Sequence, residues 1–511
     1  MNRAISRRKF LKTSLAGALT TALMGGNCMK TSSRPSKPNL LFIWTDEQRA
    51  DTMAAYGNHK IHTPNLNRLA EESFVFERAY VTQPVCTPSR SSVMTGLWPH
   101  QTGCVKNNVP LPLNIPCLPE LLNDPAYRTA YMGKWHLGDE IFPQHGFQEW
   151  VSIEDGYFHY YRPERNKNAR SDYYHFLLKN GYQPDLGDRF SRKFAARLPI
   201  EYGKPKFLEK KACEFLRRNV NRPFILYINF LEPHMPFFGP LDNEHDPYEI
   251  DLPGNFADPL DETEPLRYRV NRERHQVVYG PSEKKYRQLI ARYYGLVSLV
   301  DRCVGNILHT LEELGLKENT IVVYTSDHGD MMGSHHMVEK SVMFEEAVRV
   351  PLLLRVPWLK PYIRNIHGAV SHIDLVPTLL ELMGCKKYYK LPGKSLVHLL
   401  KSNQDAMDDV FIEWNPDSGA LKIKKGGTKL ASQEELEKVR NEHSRAVITP
   451  DGWKLCLSDV ERCLLYNLKD DPGETTNLFY TGNYDNIIRR LSKKIRDWQI
   501  RVHDPVELKM I

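Results

Sequence analysis

The hydrophobic positions of the chain fall into short, dense runs separated by longer amphipathic stretches. Three runs stand out, NLLFIWT at 39–45, PFILYINF at 223–230 and NTIVVYTS at 319–326, each rich in β-branched or aromatic residues. Runs that are apolar at nearly every position predict strands buried on both faces. Helical patterns lie between them. Thr63 and Pro64 open one, residues 286–316 carry a longer one, and SHIDLVPTLLELMG forms another that ends near Gly384. Strands alternating with helices predict an α/β fold with a large, mostly parallel sheet flanked by helices. Ligands of such sheets collect beyond the carboxyl ends of the strands. Here those ends are polar: the first run leads into Asp46 and Glu47, the second into Glu232 and His234, the third into Asp327 and His328.

After about Leu396 the pattern changes to DDVFIEW, SRAVITPDGWKLCL and CLLYNL, short strands separated by turn residues, with Asp451 and Gly452 as a hairpin signal. An amphipathic stretch at 486–502 follows. The change predicts a large domain over 34–395 and a smaller C-terminal α+β subdomain over 396–511, made of an antiparallel sheet and a terminal helix. Residues 237–282, rich in Pro, Asp, Glu and Arg, show no clear periodicity and read as a covering or functional loop.

Composition changes this picture little. A chain of 511 residues, 41% hydrophobic and 26% charged, is ordinary for a globular protein, and a formal net charge of +7 is mild for its length. With no zinc-finger, basic-zipper or RNA-binding signature, nucleic acid is not an expected partner. The first residues say more. Arg7 and Arg8 precede an apolar run at 15–24 that is too short for a membrane span. Residues 1–33 resemble a twin-arginine export signal, which implies the export machinery of that type as a partner and a soluble mature chain beginning between Gly25 and Ser36, periplasmic or secreted. Cys28 follows Asn27 where a lipoprotein signal carries a small residue, so lipid anchoring is not expected. None of the nine cysteines forms a C-x-x-C pair. Cys456 and Cys463 flank a turn and could either pair in an oxidising compartment or stay as two half-buried thiols.

The candidate chemistry lies at the strand ends. Carboxylates from two of them, Asp46 and Glu47 with Asp327, beside the imidazole of His328, suit a divalent cation, because isolated buried charges are costly. Hard oxygen donors favour Ca²⁺, Mg²⁺ or Mn²⁺, while the histidine leaves a transition metal open. In MGKWHLG, Lys134 and His136 would face the same side of an extended segment and could meet one anion, with Gly133 and Gly138 allowing tight bends. His234 in EPHMP and Lys340 after GSHHMVE are single candidates that a structural role would equally explain. The segment YFHYYRPERNKNARSDYYHF interleaves aromatics with Arg162, Arg165 and further cations, a composition that could stack on sugar rings and hold their anionic groups.

Taken in order, PNLLFIWTDEQR, CTPSRSSVMTG, GKWHLG, FLEPHMPF, SDHGDMMGSHHMVEK and YNLKDDPGETTNL resemble the type I sulfatases of the alkaline phosphatase superfamily, over about 38–478. The resemblance implies an alkaline phosphatase-like fold and a sulfatase catalytic domain over 34–395. It further implies that a formylglycine-generating maturation enzyme oxidises Cys86 to formylglycine, reading Pro88 and Arg90 with it. The hydrated aldehyde has two hydroxyls. One attacks sulfur and releases the alcohol, and the other then loses its proton and expels sulfate, so that covalent catalysis divides one hard step into two.

By the same resemblance Asp46, Asp327, His328 and the modified Cys86 would bind the metal, Ca²⁺ first among the hard cations. Glu47 falls where the family often has a second aspartate. Arg90 would hold the formylglycine oxygen, Lys134 and Lys340 the sulfate oxygens, while His136 would accept a proton and His234 donate one to the leaving alcohol. The implied activity is hydrolysis of sulfate monoesters on sulfated, glycosaminoglycan-like carbohydrates. A phosphonate monoester or phosphodiester hydrolase of the same superfamily is the enzymatic alternative, and a non-catalytic glycan-binding protein the alternative if Cys86 stays a thiol.

Overall fold

The computed structural model describes residues 35 and 37–508 apart from 388, 403, 418, 420, 422 and 424–426, so residues 1–33, expected to be an export signal, and Cys28 among them lie outside the described residues. The large sheet holds β1 (Asn39–Asp46), β2 (Phe74–Tyr80), β3 (Arg128–Gly133), β4 (Glu149–Val151), β5 (Phe224–Pro233), β6 (Thr320–Ser326), β7 (Arg349–Val350), β8 (Leu352–Arg355) and β9 (Asn365–Ser371). Their order is β4-β3-β5-β1-β6-β8-β2-β7, with β9 alongside β2. From β4 to β6 every pairing is parallel, and β8 then runs antiparallel to both β6 and β2.

The dense apolar runs follow from burial on both faces. All eight residues of β1 are buried. Leu40, Phe42 and Trp44 point to one side, where they join Tyr131, Tyr227 and Val323 and pack on Val93, Met94, Val376 and Leu379. Leu41 and Ile43 point to the other, where Leu226, Ile228 and Val322 meet Leu208 and Ala212 of the helix Lys204–Arg218 and Val300 and Val304 of the helix Glu283–Glu313. Period-two alternation thus divides one apolar string between two cores.

The segment 237–282 differs from its reading as an aperiodic loop, because it contains the helix Leu266–Tyr279. The buried side of that helix is largely polar: Arg267, Asn271 and His275 recur at a four-residue spacing beside Tyr268 and Val270. Arg267 donates from Nε to Glu442 at 3.1 Å, and Glu461 accepts the N–H groups of Leu266 and Arg267. A helix held by ion pairs and capped by a distant carboxylate carries no apolar stripe to read.

The C-terminal strands β10 (Val410–Trp414), β11 (Ser444–Ile448), β12 (Trp453–Ser458) and β13 (Leu464–Asn467) form an antiparallel sheet in that order. The helix Asp485–Val502 covers one face through Ile488, Leu491, Ile495 and Trp498, which pack on Val447, Leu455, Leu457 and Leu465. Cys456 lies opposite Ala446 and Leu464 in the ladder. No disulfide joins it to Cys463, since Cys456 packs in the core on one face of the sheet and Cys463 against the core on the other.

Gly133, the last residue of β3, has φ 117°, and a Cβ there would stand 1.9 Å from the Asn229 carbonyl oxygen of β5. The two strands touch at that point because nothing projects between them. Gly133→Ala is therefore expected to cost about 3 kcal/mol or more, read as a lower thermal unfolding midpoint and poor recovery of folded protein.

Candidate active site

Neighbouring parallel strands bring their carboxyl ends to one rim. β1 ends in Asp46, and Glu47 follows in the left-handed region at φ 72°. Tyr293 holds that turn: its hydroxyl donates to the Glu47 carbonyl at 2.6 Å and accepts the Arg49 N–H at 3.0 Å. Asp327 and His328 follow β6, Lys134 follows β3, and His234 follows β5. Cys86 is the first residue of the helix Cys86–Thr95, whose ten residues are all buried, and it meets the rim with the helix's positive end.

Arg90, one turn into that helix, locks the pieces together. Its Nε donates to Asp327 at 2.8 Å, Nη2 to Asp46 at 2.9 Å and to Asn229 at 3.0 Å, and Nη1 to the Lys134 carbonyl at 2.7 Å. Burial alone would raise the Asp46 carboxyl, yet the cations Lys134 and Arg90 hold it well below the usual carboxylate range. Each of the three Arg90 nitrogens is thus committed to a carboxylate, to the Asn229 amide oxygen or to backbone.

Asp46, Cys86, Asp327 and His328 each bring a donor atom to within 4.8 Å of the others, all of them buried. His328 shows whether a cation fits. Its Nδ1 lies 2.9 Å from the Gly329 carbonyl, an acceptor only, so Nδ1 carries the hydrogen and the Nε2 lone pair faces inward. Nε2 stands 3.1 Å from the Cys86 sulfur, 3.6 Å from Asp327 and 3.8 Å from Asp46. This is the tautomer and orientation of a metal-ligating histidine. Burial lowers its pKa, but Asp327 and the Cys86 sulfur outweigh burial and lift it to about 9, so without a cation Nε2 takes up a second hydrogen, the place a bound cation would occupy. An oxygen in place of the sulfur would make the set suit a hard cation such as Ca²⁺. Glu47 belongs to a neighbouring trio with Asp46 and His234, where its Oε2 accepts from Lys340 at 2.8 Å and lies 3.4 Å from His234 Nε2.

The remaining predicted residues surround this centre. Lys134 is fully buried and donates to Asp46. The structure corrects the reading of Lys134 and His136 as same-side residues of an extended segment: β3 ends at Gly133, and His136 is left-handed at φ 59°. What holds that turn is Glu140, whose carboxylate accepts the Trp135 N–H at 2.8 Å and the His136 N–H at 2.6 Å. His136 Nε2 lies 2.9 Å from Asn108 Oδ1 and donates to it, which leaves Nδ1, without a partner among the described residues, as the free base. Burial, then Lys134 and Arg90, keep the ring well below its ordinary pKa and so neutral. His234 is likewise held low, by burial and Lys340. Its Nδ1 donates to the Met235 carbonyl at 2.9 Å.

Sequence reading missed Asn108, Glu140 and Arg192, which stand in no distinctive run, and gave no role to Asn229 within its apolar strand run or to Tyr157 at the head of the aromatic segment. Arg162 and Arg165, read as free cations for a sugar, are both bonded to Asp139, at 2.5 and 3.0 Å from Nε.

A mostly parallel sheet whose strand ends gather buried carboxylates, a histidine and a helix-borne cysteine belongs here to a hydrolase. The sulfatase family model matches residues 38–385, and the chain belongs to the sulfatase family, the sulfuric ester hydrolases. It is similar to an uncharacterized sulfatase of Escherichia coli, 27% identical across 92% of this chain and 88% of that protein. It is also similar to an N-acetylglucosamine-6-O-sulfatase of Bacteroides thetaiotaomicron, 26% identical across 94% and 90%. In structure it matches a phosphonate monoester hydrolase of Silicibacter pomeroyi, with a TM-score of 0.75, 21% identity and coverage of 92% and 96%. A protein solved with its substrate D-glucosamine-2-N,6-O-disulfate gives a TM-score of 0.71, 23% identity and coverage of 92% and 99%.

The two bonds at Glu140 yield a test. Glu140→Gln keeps the shape but sets an amide NH₂ against one of the two backbone donors, so the His136 turn should loosen. A fall in kcat of roughly 10-fold or more, with KM nearly unchanged, is expected in steady-state assays on an aryl sulfate.

Proposed function

We propose that this sulfatase cleaves sulfate monoesters on glycosaminoglycan-like sulfated carbohydrates, using a formylglycine made from Cys86 and a divalent cation, Ca²⁺ before Mg²⁺ or Mn²⁺. The observation that carries the reading is the joining of Cys86, Asp46, Asp327 and His328 in one buried group. Relatives described as an N-acetylglucosamine-6-O-sulfatase and a Δ4,5-hexuronate-2-O-sulfatase support a sugar as the alcohol.

Asp46, Asp327, His328 and the oxidised residue 86 would hold the cation, with Glu47 beside them. When bound, the cation supplies Lewis acidity to a sulfate oxygen. Lys134 and Lys340 supply buried positive charge for the sulfate oxygens, and neutral His136 is suited to accept the proton that triggers release of sulfate. His234 keeps its Nδ1 hydrogen on the Met235 carbonyl, so to serve the leaving alcohol from Nε2 it would first have to take up a second proton there. Arg90 acts through the carboxylates it orients.

Cys86 is 2% exposed and Pro88 and Arg90 are buried, so the maturation enzyme would read this signal before the chain folds. That order agrees with residues 1–33 acting as a signal for export of a folded protein to the periplasm or medium. No helix among the described residues is long and apolar enough to cross a membrane.

Protein made together with a formylglycine-generating enzyme should show an aldehyde at residue 86 in the tryptic peptide 79–90. It should also turn over a sulfated sugar or aryl sulfate faster than the matching phosphonate monoester. A retained thiol with glycan affinity would point to the binding-protein alternative, and faster phosphonate turnover to the other hydrolase. Cys86→Ala should lower kcat by roughly 10⁴-fold. Chelation of the cation should abolish activity and lower the unfolding midpoint by the equivalent of about 3 kcal/mol at saturating metal, both restored by adding Ca²⁺. Retention of full activity by metal-stripped protein would remove the cation from the reading.

A further inference from the structure

The side of the site nearest His136 and His234 carries a cation that the chemistry above does not use. Arg192 donates from Nε to Glu154 at 2.8 Å and from Nη2 to the Tyr157 hydroxyl at 2.8 Å, with Nη2 also 2.6 Å from Glu154. The Tyr157 ring in turn lies against His136, with centroids 4.4 Å apart. The third nitrogen, Nη1, approaches His234 Nδ1 at 3.5 Å. That approach is not a hydrogen bond, because Nδ1 already carries a hydrogen directed to the Met235 carbonyl. The hydrogens of Nη1 are therefore left for a ligand.

Charge points the same way. Glu154 faces Arg192 and Lys204 together, so the three groups carry one formal positive charge in excess. The two cations overcome burial and bring the Glu154 carboxyl down to about 2. Glu232 lies nearby, but burial pushes its carboxyl up to about 7, and it offsets the excess only in part. Arg192 and His234 line one cleft, and the Arg192 side chain is 28% exposed.

We infer that Arg192, oriented by Glu154 and Tyr157, is a specificity-determining residue that binds a second anionic group, a carboxylate or a second sulfate, on the sugar bearing the scissile sulfate. The inference rests on the reading above, in which His234 faces the leaving alcohol, since that places the sugar ring beside Arg192. A guanidinium held on two sides with one edge open suits an oxyanion arriving from the cleft.

The test compares wild type, Arg192→Gln and the conservative Arg192→Lys on three substrates: a singly sulfated neutral sugar, the same sugar with an added N-sulfate, and a sulfated uronate. Arg192→Gln should lower kcat/KM for a doubly anionic substrate about 10- to 100-fold more than for the singly sulfated sugar, mainly through KM, as expected for one charge-assisted hydrogen bond. Arg192→Lys should recover part of the difference. Selective loss on the uronate assigns a carboxylate, and selective loss on the N-sulfated sugar assigns a second sulfate. Equal losses on all three overturn the inference.

Should wild type cleave no sulfate ester, the proposed function fails separately. Calorimetric binding of unsulfated uronate and of N-sulfated sugar lacking the ester sulfate then decides the matter. Weaker binding by Arg192→Gln than by wild type sustains the site, and equal binding removes it.

Discussion

The buried guanidinium of Arg90 is the constraint on which the rest of the site depends. Asp46 and Asp327 have no exposed side-chain surface, and a carboxylate taken out of water costs several kcal/mol unless it is paired and hydrogen-bonded. Arg90 meets both, and its remaining hydrogens reach Asn229 of β5 and the carbonyl that follows β3. One side chain thus ties the helix bearing Cys86 to strand ends from across the rim. A lysine would supply the charge but not a planar fork addressing four acceptors in fixed directions. Cys86 and the two carboxylates share a single anchor, so neither can shift without the other.

Around that anchor, leaving aside the Nε2 proton of His328 that a cation would displace, the formal charges balance. Asp46, Glu47 and Asp327 face Arg90, Lys134 and Lys340, each within a direct ion pair. Asp330, next in line, is held well above the usual carboxylate range by burial and by Glu47, so it adds little charge. A divalent cation alone would leave the pocket strongly positive, and a sulfate monoester with an ionised hydroxyl at residue 86 would restore neutrality. A cation held by those carboxylates would release Lys134 and Lys340 from them, and in a region this dry such compensation would make cation and substrate binding mutually dependent.

Much of this architecture was legible in the sequence, for reasons that differ by element. β1, β5 and β6 were readable because strands buried on both faces leave continuous apolar runs, and Asp46, Asp327, His328 and His234 because they follow those runs directly. The helix Leu266–Tyr279 was not, since its buried face is made of Arg267, Asn271 and His275, paired with partners far away in the chain. Glu140 could have been suspected from its place four residues after His136, yet its use depends on a left-handed turn that no local pattern announces. Asn108 and Arg192 reach the site only through tertiary packing. The late motif containing Glu474 turned out to brace the smaller sheet: that carboxylate accepts the Glu345 N–H at 2.6 Å and pairs with Lys454 at 2.8 Å.

The turn from His136 to Glu140 couples the chemistry to the wall beside it. Glu140 holds the backbone of His136 from one side. Its neighbour Asp139 holds Arg162 and Arg165 from the other. Tyr157 leaves that same segment to pack on the His136 ring and to accept from Arg192. A change of loop that alters which sugar fits therefore pulls on the residue assigned as base through no more than one turn of chain. Strand ends can keep their groups constant while loops vary, but here the first loop residues past β3 both place His136 and anchor the pocket wall, so the two are mechanically linked in this protein.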